Sequence, residues 1–184
     1  MDATALLRPG LLDGRLVALG GGGDHAPLRS PLDALGATTR ALPAAFDEDT
    51  MAAAVDPAAH ALVHDLRPAF ADGLSATLDL AWITIRSVAN GAFIPEVRGG
   101  KVVVIAPPAD DANAAAAGVR AAAENLARTL SIEWARHRIT TVAIAPGPDT
   151  TDAQLAALAA YLVSPAGDYF SGTRLALDET ALIA

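Results

Sequence analysis

Apolar runs of about five residues alternate with helix-length segments from Arg15 to Leu177, and this alternation constrains the fold more than any single motif. The clearest run is Lys101-Val102-Val103-Val104-Ile105, unbroken in apolar residues after its lysine, as in a parallel strand covered by helices on both faces. It leads into Ala114 to Arg136, where Val119, Ala123, Leu126, Leu130 and Trp134 recur at three or four residues and make one helical stripe. Thr140 to Ile144 is the next strand, closed by Ala145-Pro146-Gly147-Pro148. Upstream, Arg15 to Leu19 reads as a buried strand ending in the turn Gly20-Gly21-Gly22-Gly23, and Thr38 to Leu42 and Ala59 to Val63 read as further strands. Between them, Leu28 to Leu35 suggests a helix ended by Gly36 and confined by Pro27 and Pro31 to the part after them. Asp47-Glu48-Asp49 places acids at the positive end of a short helix through Val55. Ser75 to Ala89 and Asp152 to Leu162 complete the helices, and Thr173 to Leu177 the strands.

A chain of 184 residues hides roughly 70% of its unfolded surface, enough for one core, so a single domain over residues 1–184 is expected. Repeated strand–helix–strand units with right-handed crossovers build a three-layer, doubly wound α/β fold with a mostly parallel sheet, in which ligands sit at the carboxyl ends of the strands. The absence of cysteine removes disulfides, thiolate metal sites and cysteine nucleophiles and suits a reducing compartment. With no secretory leader or uncharged apolar span in view, a cytoplasmic location is expected. The net charge of -8 argues against nucleic acid and anionic membranes as partners, because phosphate binding needs a basic face and the sequence offers none. Four scattered histidines lack the spacing of a zinc site, and no metal is expected.

The stretch Glu124-Asn125-Leu126-Ala127-Arg128-Thr129-Leu130-Ser131-Ile132-Glu133-Trp134-Ala135, followed by Ile139 to Pro146-Gly147, resembles the long helix and next strand of the short-chain dehydrogenase/reductase family. Leu155 to Leu162, Ser164-Pro165-Ala166 and Tyr169-Phe170-Ser171-Gly172 resemble that family's closing helix, loop and glycine turn. The likeness covers residues 100 to 178, while the amino-terminal half matches in outline through the strand at Arg15 and its glycines. It implies a Rossmann-like fold, here shortened by about one strand–helix unit before Ala59 and lacking the substrate lid after Gly147. Whether residues 37 to 58 hold one strand or two stays open.

The resemblance also implies a chemistry. Family members move hydride between a nicotinamide and a carbonyl or alcohol, with a tyrosine and a lysine four apart on one helix. Counting back from Glu124, those positions fall on Ala116 and Arg120; Lys101 is the only lysine, and both tyrosines, Tyr161 and Tyr169, follow Ile144. The family's serine position holds Ala106-Pro107-Pro108, its asparagine-rich turn reads His64-Asp65-Leu66-Arg67, and its further asparagine falls near Thr77. No catalytic residue is therefore assigned. Gly20, Gly21 and Gly22 fill the opening of the phosphate loop and Arg120 faces the cleft, so these four are the candidate cofactor-binding residues. His25 and Pro27 stand where later glycines belong, so no cofactor is required, although residual NAD or NADP binding is allowed.

Adjacent His64 and Asp65 are the alternative acid–base pair, disfavoured because neighbours on a strand point to opposite faces. Asp24, His25, Asp110, Asp111 and His137 read as solvated loop or helix-end groups. The expected function is that of a catalytically inactive homologue working as an oligomeric or accessory subunit. The alternatives are an NAD(P)-dependent oxidoreductase with a reorganised site and a nucleotide-binding regulator. The partner is a second copy or an active relative, held through the helices 75–89 and 114–136. On the first of these, Leu78, Trp82, Ile85 and Val88 form one apolar face and Leu80 and Ile83 another.

Overall fold

The computed structural model describes residues 5, 7–110 and 112–177. Six strands form one sheet: β1 (Leu16–Gly20), β2 (Thr38–Ala41), β3 (Ala61–Asp65), β4 (Gly100–Ile105), β5 (Ile139–Ala145) and β6 (Thr173–Ala176). Their spatial order is β2-β1-β3-β4-β5-β6, and every pairing is parallel. The direction of winding reverses between β1 and β3, which makes the carboxyl end of that pair the switch-point crevice of a doubly wound sheet. Residues 37 to 58 hold one strand, β2, and one helix.

The helices are α1 (Ala26–Ala34), α2 (Glu48–Ala54), α3 (Leu74–Val88), α4 (Ala114–Glu133) and α5 (Asp152–Val163). The period-two side-chain alternation of the strands divides the core into two layers. Leu62, Val102 and Val104 pack with Met51 of α2, Leu80 and Ile85 of α3, and Val119 and Leu130 of α4. Val63, Val103 and Ile105 face the other way, onto Leu28 and Leu32 of α1 and Leu155 and Ala159 of α5. This is the expected three-layer arrangement. Among the described residues no helix is long and apolar enough to cross a membrane.

Three local expectations need correction. Helix α1 begins at Ala26, ahead of both prolines. Pro27 lies in its first turn, where no amide partner is required, and Pro31 removes only the bond to the carbonyl of Pro27, an exposed residue. Strand β3 runs from Ala61 rather than Ala59, which carries His64 and Asp65 into its last two positions. On α3 the buried stripe is Thr77, Leu80, Ala81, Thr84, Ile85 and Val88, whereas Trp82 is 42% exposed. The threonines are admitted to the core differently: Thr77 Oγ1 lies 2.7 Å from the Gly73 carbonyl, which satisfies its hydroxyl within the helix, while Thr84 Oγ1 has no partner among the described residues.

Candidate functional site

The carboxyl edge of the sheet is where this architecture places its ligands, and every sequence-selected residue except His137 and the undescribed Asp111 gathers on that side. Gly20 ends β1 opposite His64, and a Cβ there would lie 2.8 Å from His64 Nδ1 and 2.9 Å from Thr84 Cγ2. Gly21, Gly22 and Gly23 turn the chain with φ of 106°, 77° and 71°, the left-handed region that glycine enters without penalty. A Cβ on Gly21 would stand 1.8 Å from the Asp65 carbonyl oxygen, so loop and strand end touch at the switch point.

The amino end of α1, the natural anion site, already has an anion from the chain itself. Asp24 accepts a hydrogen bond from the Ala26 amide at 2.8 Å, Pro27 has no amide hydrogen, and the Leu28 amide donates to the His25 carbonyl. His25 is 9% exposed rather than solvated as expected, and burial, ahead of the charges around it, holds its pKa below the ordinary histidine value.

His64 and Asp65 point to opposite faces of β3 and form no dyad. His64 is fully buried, neither ring nitrogen has a partner among the described residues, and burial pushes its pKa down to about 3. Asp65 instead receives Arg67, whose Nε and Nη2 reach its two oxygens at 3.0 and 2.8 Å, while Nη1 reaches Asp152 at 2.7 Å. Those hydrogen bonds, strongest to Asp65, keep Arg67 protonated. This guanidinium thus ties the end of β3 to the first turn of α5. The sequence reading missed Arg67 as a site residue, although it closed the motif His64-Asp65-Leu66-Arg67.

Ala116 and Arg120 share one face of α4, which starts at an Asn113 cap. Ala116 is buried and presents only a methyl group. Arg120 Nη1 donates to the carbonyls of Pro107 at 2.9 Å and Pro146 at 2.6 Å, tying together the chain ends that leave β4 and β5. The connection from β5 to α5 is the short turn Pro146–Thr151, pinned by the Gly147 amide donating to Thr150 Oγ1 at 2.9 Å.

A search of solved structures places this arrangement. A citronellol catabolism dehydrogenase of Pseudomonas aeruginosa superposes with a TM-score of 0.74 at 20% identity, over 95% of this chain and 98% of that one. A hydroxysteroid dehydrogenase from Escherichia coli gives 0.70 at 18% identity, over 91% and 97% of the two chains. The enoyl-acyl carrier protein reductase of Bacillus cereus, solved with NADP+, gives 0.71 at 14%, over 91% and 96%. The fold is that of the short-chain dehydrogenases. At these identities the likeness is one of fold; no protein-family profile matches the sequence, and no curated protein matches it.

Within this short-chain dehydrogenase fold, the other selected residues lie apart from the cleft's centre. Thr77 is buried between the carbonyls of Ala69 and Gly73. Asp110 caps a turn by accepting from the Ala112 amide, and Asp111 lies outside the described residues. His137 follows α4 near the opposite edge of the sheet, accepting from Arg136 Nε at 3.0 Å. No group of three or more His, Asp or Glu able to hold a metal occurs among the described residues. The expectation that no basic face exists is overturned at that opposite edge, where Arg15, Arg98, Lys101 and Arg138 line one cavity.

Proposed function

We propose that this chain is a non-catalytic protein of the short-chain dehydrogenase fold that acts in the cytoplasm as a subunit, pairing with a second copy of itself through α3 and α4. The observation that carries the reading is the state of the two positions matching the family's tyrosine and lysine. Ala116 has no proton to transfer, and Arg120 donates to the Pro107 and Pro146 carbonyls, a structural tie across the loops.

The dinucleotide that the fold implies does not fit the residues present. Asp24 sets a carboxylate on the amide that would meet a pyrophosphate, Pro27 removes the next amide, Gly21 abuts Asp65, and Arg67 with Asp152 bridges the edge along which the cofactor would lie. No hydride step is therefore derived. Association is favoured by the exposed apolar groups on the two helices: Leu74 and Trp82 on α3 and Ile132 on α4 are 41%, 42% and 79% exposed. In the family that the sequence resembles, the corresponding helices commonly pack as a four-helix dimer interface.

A second reading, a nucleotide-binding regulator, draws on the left-handed turn at Gly21–Gly23 leading into α1. Calorimetric titration with NADH and NADPH, run beside a determination of mass in solution, separates the two. The expected result is no saturable heat and the mass of a dimer. Saturable nucleotide binding favours the regulator or a reorganised oxidoreductase and overturns the proposal.

A further inference from the structure

In an all-parallel sheet, the residues that open the strands meet along one edge, however far apart they lie in the chain. Here those positions are basic: Arg15 precedes β1, His60 precedes β3, Arg98 and Lys101 flank the start of β4, and Arg138 precedes β5. They line a cavity of about 600 Å³ at the amino edge, opposite the cleft described above and within the size range of small-molecule sites. Its lining contains one carboxylate, Asp168, and that group is paired with Lys101, whose Nζ also donates to the Ser164 carbonyl at 2.7 Å.

The remaining cations are not neutralised. Among the described residues Arg15 and Arg138 form no ion pair, and Arg98 donates to a neutral acceptor, the Pro57 carbonyl. His60 lies within this field: burial first, then Arg15 and Arg98, keep its pKa below the ordinary histidine value. Its Nδ1 accepts the Leu16 amide at 3.1 Å, leaving Nε2 to carry the ring proton. Arg138 occupies the left-handed region at φ 60°, a costly conformation for a side-chain-bearing residue. Its carbonyl accepts from the Gly100 amide, and a Cβ on Gly99 would fall 2.7 Å from that carbonyl, so the turn is held against the start of β4. A protein of net charge -8 thus keeps an uncompensated positive cavity.

We propose that this cavity binds a small multivalent oxyanion, a di- or triphosphate or a tricarboxylate, held by Arg15, Arg98 and Arg138. Guanidinium forks match phosphate and carboxylate oxygens, and convergent cations favour a ligand with more than one charge. The site is distinct from the cleft described above, which lies at the opposite edge of the sheet.

Calorimetry at low ionic strength with inorganic pyrophosphate and with citrate, followed by proton NMR of the His60 ring, tests it. The expected result is saturable binding of one anion per chain and a raised His60 pKa in the complex. Pyrophosphate selected over citrate assigns the site to phosphates, and the reverse to carboxylates. The double variant Arg15→Gln/Arg138→Asn should bind at least tenfold more weakly with an unchanged melting temperature, since asparagine tolerates the left-handed region. Arg29→Gln, an exposed residue in the first turn of α1 at the other edge, should bind as the parent does. No saturable binding of either anion at millimolar concentration, or full binding by the double variant, overturns the proposal.

Discussion

At the tip of β1 the packing of three residues explains much of the carboxyl edge. Gly20 leaves no room for a methyl group beside His64 and Thr84, so the glycine that opens the family-like phosphate loop serves here to seat a buried imidazole. His64 Nδ1 and Nε2 and Thr84 Oγ1 lack hydrogen-bond partners among the described residues, an arrangement that costs stability and is tolerable only while the ring is neutral. The consequence is a pH dependence of known sign. Above pH 6.5 the ring is neutral in both folded and unfolded chains; below it the unfolded chain takes up a proton that the native chain refuses until about pH 3. Stability should therefore fall by about 1.4 kcal/mol per pH unit below 6.5 from this group alone. The lowered His25 and His60 act in the same direction. Urea unfolding at pH 7.5 and 5.0 measures the loss, and His64→Leu should flatten it; an equal slope in the variant would remove His64 as its source.

Helix α3 shows how an element can be recognised while the sequence leaves its core face open. Its apolar residues nearly encircle it, so periodicity marks both a Leu78–Trp82–Ile85–Val88 face and a Leu80–Ile83 face, whereas the core takes Leu80, Ala81, Ile85 and Val88 together with Thr77 and Thr84. A threonine hydroxyl that bonds back to its own helix, as at Thr77, behaves as a core residue, which composition does not reveal. Trp82 is left on the outer face with Arg86 stacked 6.0 Å from its ring centroid. Two substitutions one turn-face apart should then differ in kind. Leu80→Ala should cost about 2–5 kcal/mol through the cavity it leaves. Trp82→Glu should leave the fold intact while converting a dimer to a monomer, as read by light scattering beside circular dichroism.

Viewed as a whole, the molecule has two edges of different character. The carboxyl edge is tied by the protein's own groups: Arg67, paired with Asp65, reaches Asp152, 85 residues further along the chain, and Arg120 binds the carbonyls that follow β4 and β5. The amino edge holds uncompensated cations around a cavity. If the native state is the proposed dimer, folding and association are linked, and the melting temperature should rise with protein concentration. Differential scanning calorimetry over a hundredfold concentration range checks this, and a constant midpoint would show that the folded unit is the single chain.

The layer architecture, the parallel sheet and the long helix before Pro146-Gly147 were all legible in the sequence, because an unbroken apolar run and a helical stripe each admit few environments. Placing Ala116 and Arg120 on one face of that helix likewise needed only their four-residue spacing. Tertiary structure alone decided that residues 37 to 58 supply one strand, that Arg120 binds backbone carbonyls, and that His64 is fully enclosed. It also decided the basic edge. Arg15, His60, Lys101 and Arg138 are separated by dozens of residues, and each reads as an ordinary polar residue before a strand; parallel register sets these strand starts side by side, and only then does their charge add.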